Sequence, residues 1–166
     1  TNDTVLIMSS GASGVKVDEE FEQLLASLCV DLARQLVSDA EGASHDIAVT
    51  TINAASEADA LEVSRAVARS NLFKTAIFGN DPNWGRVVSE VGTTQAVFEP
   101  ENLSVAMNGV WVARNGGVGD SRELVDLSAQ RDVHVEIDLH AGEATATIWT
   151  NDLTHDYVEE NSAYST

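Results

Sequence analysis

The stretch "VHVEIDLHAGEATATIWT" (residues 133–150) decides the fold. Val133, Val135, Ile137 and Leu139 alternate with His134, Glu136 and Asp138. A period of two puts the apolar side chains on one face of a strand and the polar ones on the other. His140 to Glu143 can turn the chain into a return strand ending near Ile148. Upstream, "SVAMNGVWVA" (residues 104–113) sets Asn108-Gly109 between two apolar runs. That dipeptide is the strongest short hairpin signal, because both central residues of the tight turn need positive φ. "DIAVTTINAA" (residues 46–55) is rich in β-branched residues and reads as a further strand.

Helices precede and accompany these strands. In "DEEFEQLLASLCVDLARQLVSDAEG" (residues 18–42), Phe21, Leu24, Leu25, Leu28, Leu32 and Leu36 recur at helical spacing. Asp18 is placed to cap this helix, with Glu19 and Glu20 at its positive end, and Gly42 is a natural stop. Cys29 lies beside the apolar stripe, with no basic neighbour in sequence to lower its pKa, and reads as a packing residue. "SEADALEVSRAVARSNLF" (residues 56–73) predicts a second helix, with Ser56 and Asp59 as a capping signature. "GRVVSEVG" (residues 85–92) predicts a short third one. The combination gives an α+β fold, a mixed or antiparallel sheet with helices packed on one face. No repeat or linker divides the chain, so residues 1–166 are expected to form a single domain.

Composition narrows the function classes. Hydrophobic residues make up 43% of the chain, enough for a core. With 9 Lys and Arg against 27 Asp and Glu, the formal net charge is -18. Such a surface repels phosphate backbones and anionic lipid, which argues against nucleic-acid and membrane partners. No apolar run reaches the ~20 residues of a membrane helix, and the start shows no signal-peptide pattern. A single cysteine excludes an internal disulfide and fits a reducing, cytoplasmic setting. The scattered His45, His134, His140 and His155 argue against structural zinc. "NGGVGD" (residues 115–120) has no following lysine and is not a phosphate cradle.

Three segments are more specific. "KTAIFGNDPNWGR" (residues 74–86) mixes turn residues with Trp84 and reads as a fixed loop, either a rigid connection or a contact surface. "SDAEG" (residues 38–42) puts Asp39 and Glu41 at the negative end of the long helix. Glu41 is either a solvated carboxylate or the partner of a cation such as a substrate ammonium. "HDYVEENSAYST" (residues 155–166) is either a partly ordered acidic tail or a segment anchored by Tyr157, Val158 and Tyr164. Its Asn161, Ser162, Ser165 and Thr166 can hydrogen-bond the carboxylate or amine of an amino acid.

Together with "TNDTVLIMSSG" (residues 1–11), these segments resemble, in order and across essentially the whole chain, the β-chain of ornithine acetyltransferase, the bifunctional glutamate N-acetyltransferase of arginine biosynthesis. "KTAIFGNDPNWGR" and the terminal "YVEENSAYST" are the specific matches. The resemblance implies a precursor that cleaves itself into α- and β-chains. It implies a ping-pong transfer of acetyl from N-acetylornithine to glutamate through an acetyl-threonine ester. No metal or organic cofactor is implied, although some members accept acetyl-CoA as donor. Partners are the α-chain of the same precursor, which supplies the oxyanion donors, in an α2β2 or larger assembly.

Carried over residue by residue, the glutamate of "DAEG" is Glu41, the asparagine of "EENSAY" is Asn161 and the last residue is Thr166, all substrate-binding positions. Trp84 and Arg86 hold their loop or a subunit contact and take no part in the chemistry. The family's nucleophilic threonine follows a Met-Ala pair several tens of residues before the "TNDT" motif. The chain is therefore expected to be the C-terminal portion of a β-chain, with no catalytic residue within it and inactive alone. Asn2, Asp3 and Thr4 are then expected to organise a turn or helix start before a buried Val5 to Met8 run. Two other readings remain at this level. Thr1 can itself be the nucleophile of an amidohydrolase or aminopeptidase, with its α-amine as base, or the chain can be a non-catalytic binding module.

Overall fold

The computed structural model describes residues 4–163. Thr1, Asn2, Asp3, Tyr164, Ser165 and Thr166 lie outside the described residues, and with them the expectations placed on Thr1, Asn2, Asp3, Tyr164, Ser165 and Thr166. The chain divides into two compact units, one ending at Ala33 and one beginning at Arg34.

The first unit holds an irregular segment and most of helix α1 (Glu19–Ser38). Asp18 caps α1 as expected, its carboxylate accepting from Phe21 N–H at 2.9 Å. Other expectations here need correction. Thr4 is irregular rather than part of a turn or helix start, and Val5, Leu6, Ile7 and Met8 are 64–82% exposed rather than buried. Cys29 is exposed as well, and α1 buries none of its residues. An amphipathic stripe buries nothing until a second surface covers it, and these apolar groups remain open.

The second unit is a mixed sheet with helices packed against it. Its strands are β1 (Asp46–Ala54), β2 (Ser104–Met107), β3 (Val110–Arg114), β4 (Gly117–Val118), β5 (Asp132–Asp138) and β6 (Ala144–Asn151), in the order β4-β3-β2-β5-β1-β6. Its helices are α2 (Glu57–Arg69), α3 (Asn71–Phe78), α4 (Trp84–Val91) and α5 (His155–Ala163). The α+β class with a mixed sheet matches the sequence reading. Val133, Val135, Ile137 and Leu139 are all buried, as their alternation requires. They share a core with Ile47 and Val49 of β1, Val63 and Val67 of α2, Phe73 and Ile77 of α3, and Val87 and Val91 of α4. Asn108 and Gly109 take φ of 47° and 82° and turn β2 into β3.

Three local expectations change. β6 does run back antiparallel, but β1 lies between it and β5, parallel to one and antiparallel to the other. The reason sits in the turn. Ala141 and Gly142 N–H both donate to Asn53 O, at 2.7 and 2.9 Å, which ties the turn to the end of β1. The expected single helix over residues 56–73 breaks at Ser70, whose backbone is extended (ψ 116°). Ser70 caps a new helix by accepting from Phe73 N–H at 3.2 Å, so Lys74 to Phe78 are helical rather than loop. Finally, α1 ends at Ser38, before Gly42.

The "DPNWGR" segment is internally braced. Asn83 caps α4 through Arg86 N–H at 3.2 Å and donates to Asp81 at 2.9 Å. Arg86 Nη1 donates to Leu72 O at 2.5 Å, and Trp84 packs against the core.

Candidate functional site

The loop joining α1 to β1 carries Glu41 and runs past the segment joining β6 to α5. Gly42 makes that approach possible. It has φ +68°, and a Cβ there would stand 2.4 Å from Tyr157 N and 2.7 Å from Asp156 C, both backbone atoms. Only glycine has both the conformation and the space. The role read for Gly42 as a helix stop thus becomes a close packing of two connections.

Thr154 fastens the approach. Its buried hydroxyl donates to Gly42 O at 2.6 Å and accepts from Tyr157 N–H at 3.0 Å, which caps the first turn of α5. The helix is thus anchored by this cap rather than by its apolar residues, since Tyr157 and Val158 are 44% and 56% exposed.

Asp152 is the second fastening, with its side chain fully buried. One oxygen accepts from Ser44 N–H at 2.9 Å and His45 N–H at 3.1 Å. The other faces the Ser44 hydroxyl and His45 Nδ1, the latter at 2.8 Å. Burial alone pushes this carboxyl up, but the hydrogen bonds from Ser44 and His45 outweigh it and hold its pKa below the ordinary value. His45 Nε2 lies 3.2 Å from Leu127 O. Lys74 of α3 is half-buried near Asp152, and its carbonyl accepts from Leu153 N–H at 3.4 Å. Burial lowers the Lys74 pKa, and the Asp152 charge only partly restores it. On the far side of the loop, Arg131 donates to Ser38 O at 2.6 Å, Ala43 O at 3.2 Å and Asp46 at 3.0 Å. A guanidinium at the last carbonyl of α1 is well placed against the helix dipole.

Held this way, Glu41 and Asn161 meet. Asn161 Nδ2 donates to Glu41 Oε2 at 3.3 Å and to Tyr157 O at 2.9 Å. The backbone carbonyl of Tyr157 accepts only, so it fixes which end of the amide points toward it. Both amide hydrogens are then engaged. Glu41 Oε1 and Asn161 Oδ1 carry no hydrogen bond from any described residue, and both are acceptors. Open acceptors on a hydrogen-bonded pair of residues suit a donor-rich cation such as an ammonium. Of the site residues read from sequence, Glu41 and Asn161 are brought together, and Thr166 lies outside the described residues. Among the described residues, no group of three His, Cys, Asp or Glu side chains gathers as metal ligands, and no helix is long and apolar enough to cross a membrane.

Residues 1–166 match the model of the ArgJ family. The chain belongs to the ArgJ family. It is 61% identical over 166 residues to the arginine biosynthesis bifunctional protein ArgJ of Streptomyces coelicolor and 62% identical over 167 residues to that of Thermobifida fusca. It spans 99% and 100% of itself in those matches but only 43% of the length of each relative. The crystal structure of arginine biosynthesis bifunctional protein ArgJ from Bacillus halodurans superposes with a TM-score of 0.87 at 33% identity, over 99% of this chain and 82% of that one. The resemblance read from the ordered motifs is therefore correct at the level of the family.

In this ArgJ family member, sequence reasoning missed Asp152, Thr154, His45 and Lys74. Thr154 had a legible signal, a threonine three residues before Tyr157 at the start of a polar helix. Asp152 had none, because its partners are 107 and 108 residues away.

Proposed function

We propose that these 166 residues are the C-terminal portion of the β-chain of a glutamate N-acetyltransferase that works by the ornithine acetyltransferase reaction. The observation that carries the reading is the Glu41–Asn161 pair, which among the described residues leaves one carboxylate oxygen and one amide carbonyl without a hydrogen bond. N-acetylornithine has its α-nitrogen acetylated, so its free amine is the δ-ammonium, a three-donor cation that suits those acceptors.

In the proposed reaction a threonine hydroxyl outside these residues attacks the amide carbonyl of N-acetylornithine. The C–N bond breaks, ornithine leaves with the proton, and an acetyl-threonine ester remains. The amine of glutamate then attacks the ester and regenerates the hydroxyl. Glu41, Asn161 and Thr166 bind substrate, the α-chain of the same precursor completes the site, and the assembly is α2β2 or larger. Some family members take acetyl from acetyl-CoA, and no other cofactor is invoked. The expected compartment is the cytoplasm.

The test is to incubate the full two-chain protein with N-acetylornithine. The β-chain is expected to gain a hydroxylamine-sensitive acetyl group while ornithine is released. A reaction that leaves no acetyl ester and releases no ornithine would sink the proposal.

A further inference from the structure

We propose that Asp152 and Thr154 are positioning residues for substrate, which set Glu41 against Asn161 without touching the substrate themselves. The proposal rests on the reading of Glu41–Asn161 as a substrate site.

Glu41 is exposed, on a connection with no regular structure, and its neighbourhood is strongly acidic, with Asp39, Asp46, Asp152 and Asp156 close by in sequence or space. Such a loop has no reason of its own to hold one carboxylate at one point. Two residues on the far strand-to-helix connection supply it. Asp152 takes both backbone N–H groups and both side chains of Ser44 and His45. A charged acceptor with four donors is a strong and geometrically narrow fastening. Thr154 adds the link to the other half of the site. Its hydroxyl donates to the carbonyl of Gly42, next to Glu41, and accepts from Tyr157 N–H. The carbonyl of Tyr157 in turn receives the Asn161 amide. One hydroxyl therefore ties the residue beside Glu41 to the helical turn that orients Asn161.

An ammonium shared by two acceptors needs both at one place. When the acceptors are no longer held in position, ordering them on binding costs affinity. Loss of either fastening should therefore weaken the hold on the substrate ammonium, which takes no part in the bond-breaking step.

The experiment measures steady-state kinetics of the full two-chain enzyme with N-acetylornithine. D152N keeps the size of the side chain but replaces one acceptor oxygen by a donor. T154V keeps the shape and removes the hydroxyl. Each is expected to raise KM about tenfold with kcat within about twofold of wild type. T154S, which restores the hydroxyl, should return KM to within about twofold. If Asp152 acts through Glu41, the double variant E41Q/D152N should show no more loss than E41Q alone. Additive losses, an unchanged KM in D152N and T154V, or no rescue by T154S would overturn the positioning role while leaving the substrate site intact. An unchanged KM in E41Q would overturn the substrate site itself, and the positioning role with it. Should D152N fail to fold, the T154V and T154S pair carries the test alone.

Discussion

Asn161 donates its side-chain amide to Glu41 across 120 residues of sequence, at 3.3 Å, while its other amide hydrogen goes to the carbonyl of Tyr157. The pair therefore offers acceptors to whatever binds it. Selectivity for a cation is the first consequence. N-acetylnorvaline, which matches N-acetylornithine but lacks the terminal amine, should lose at least about tenfold in kcat/KM with the full enzyme, because the acceptors are left without a donor. Equal kcat/KM for the two compounds would show that no ammonium is recognised there.

The second prediction concerns Gly42. In Gly42→Ala the added Cβ would meet the backbone of Asp156 and Tyr157, and the residue is strained at φ +68°. The loop or α5 must move, at a cost of about 1–3 kcal/mol. Limited proteolysis should cut α5 faster in the variant than in wild type, and the thermal midpoint should fall. Identical digestion of the two proteins would mean that the connections are not packed as described.

A third prediction follows from Asp152. Its carboxyl is buried, yet the donors from Ser44 and His45 hold its folded pKa below the ordinary 3.8. The folded state therefore binds this proton less readily than the unfolded state. The stabilisation is full above 3.8 and is lost as pH falls through the folded pKa. In urea denaturation, D152N should be less stable than wild type at neutral pH, and the gap should shrink on acidification below that value. A gap independent of pH would contradict the assignment.

Lys74 behaves in the opposite part of the scale. Burial lowers its folded pKa below 10.5, against a partial restoring effect from Asp152. Below the folded pKa the cost of the buried ammonium is fully present, and it is relieved as pH rises from there toward 10.5. Lys74→Met should therefore raise the urea midpoint at neutral pH and flatten the alkaline gain seen in wild type. A lower midpoint in the variant would show that the charge is needed for folding.

These relationships mark where sequence reading works and where it stops. The buried face of β5, the Asn108-Gly109 turn and the Asp18 cap are local, and each is set by residues a few positions apart. The insertion of β1 between β5 and β6 is not local. It depends on Asn53 O receiving the turn at Ala141 and Gly142, a contact that no period reveals. The helix break at Ser70 is hidden because the apolar pattern continues through it into Phe73 and Ile77. Motif resemblance points to Glu41 and Asn161 but not to their meeting. Asp152, which fastens the loop carrying Glu41, looks in sequence like any acid after a strand.

The most direct measurement is kcat/KM for N-acetylornithine in the full two-chain enzyme carrying Glu41→Gln. The amide keeps the size of the carboxylate and removes its charge. If Glu41 holds the substrate ammonium, kcat/KM falls at least about tenfold through a higher KM, with the hydroxylamine-sensitive ester still formed at saturating substrate. Kinetics equal to wild type would return Glu41 to a solvated surface carboxylate and contradict the site.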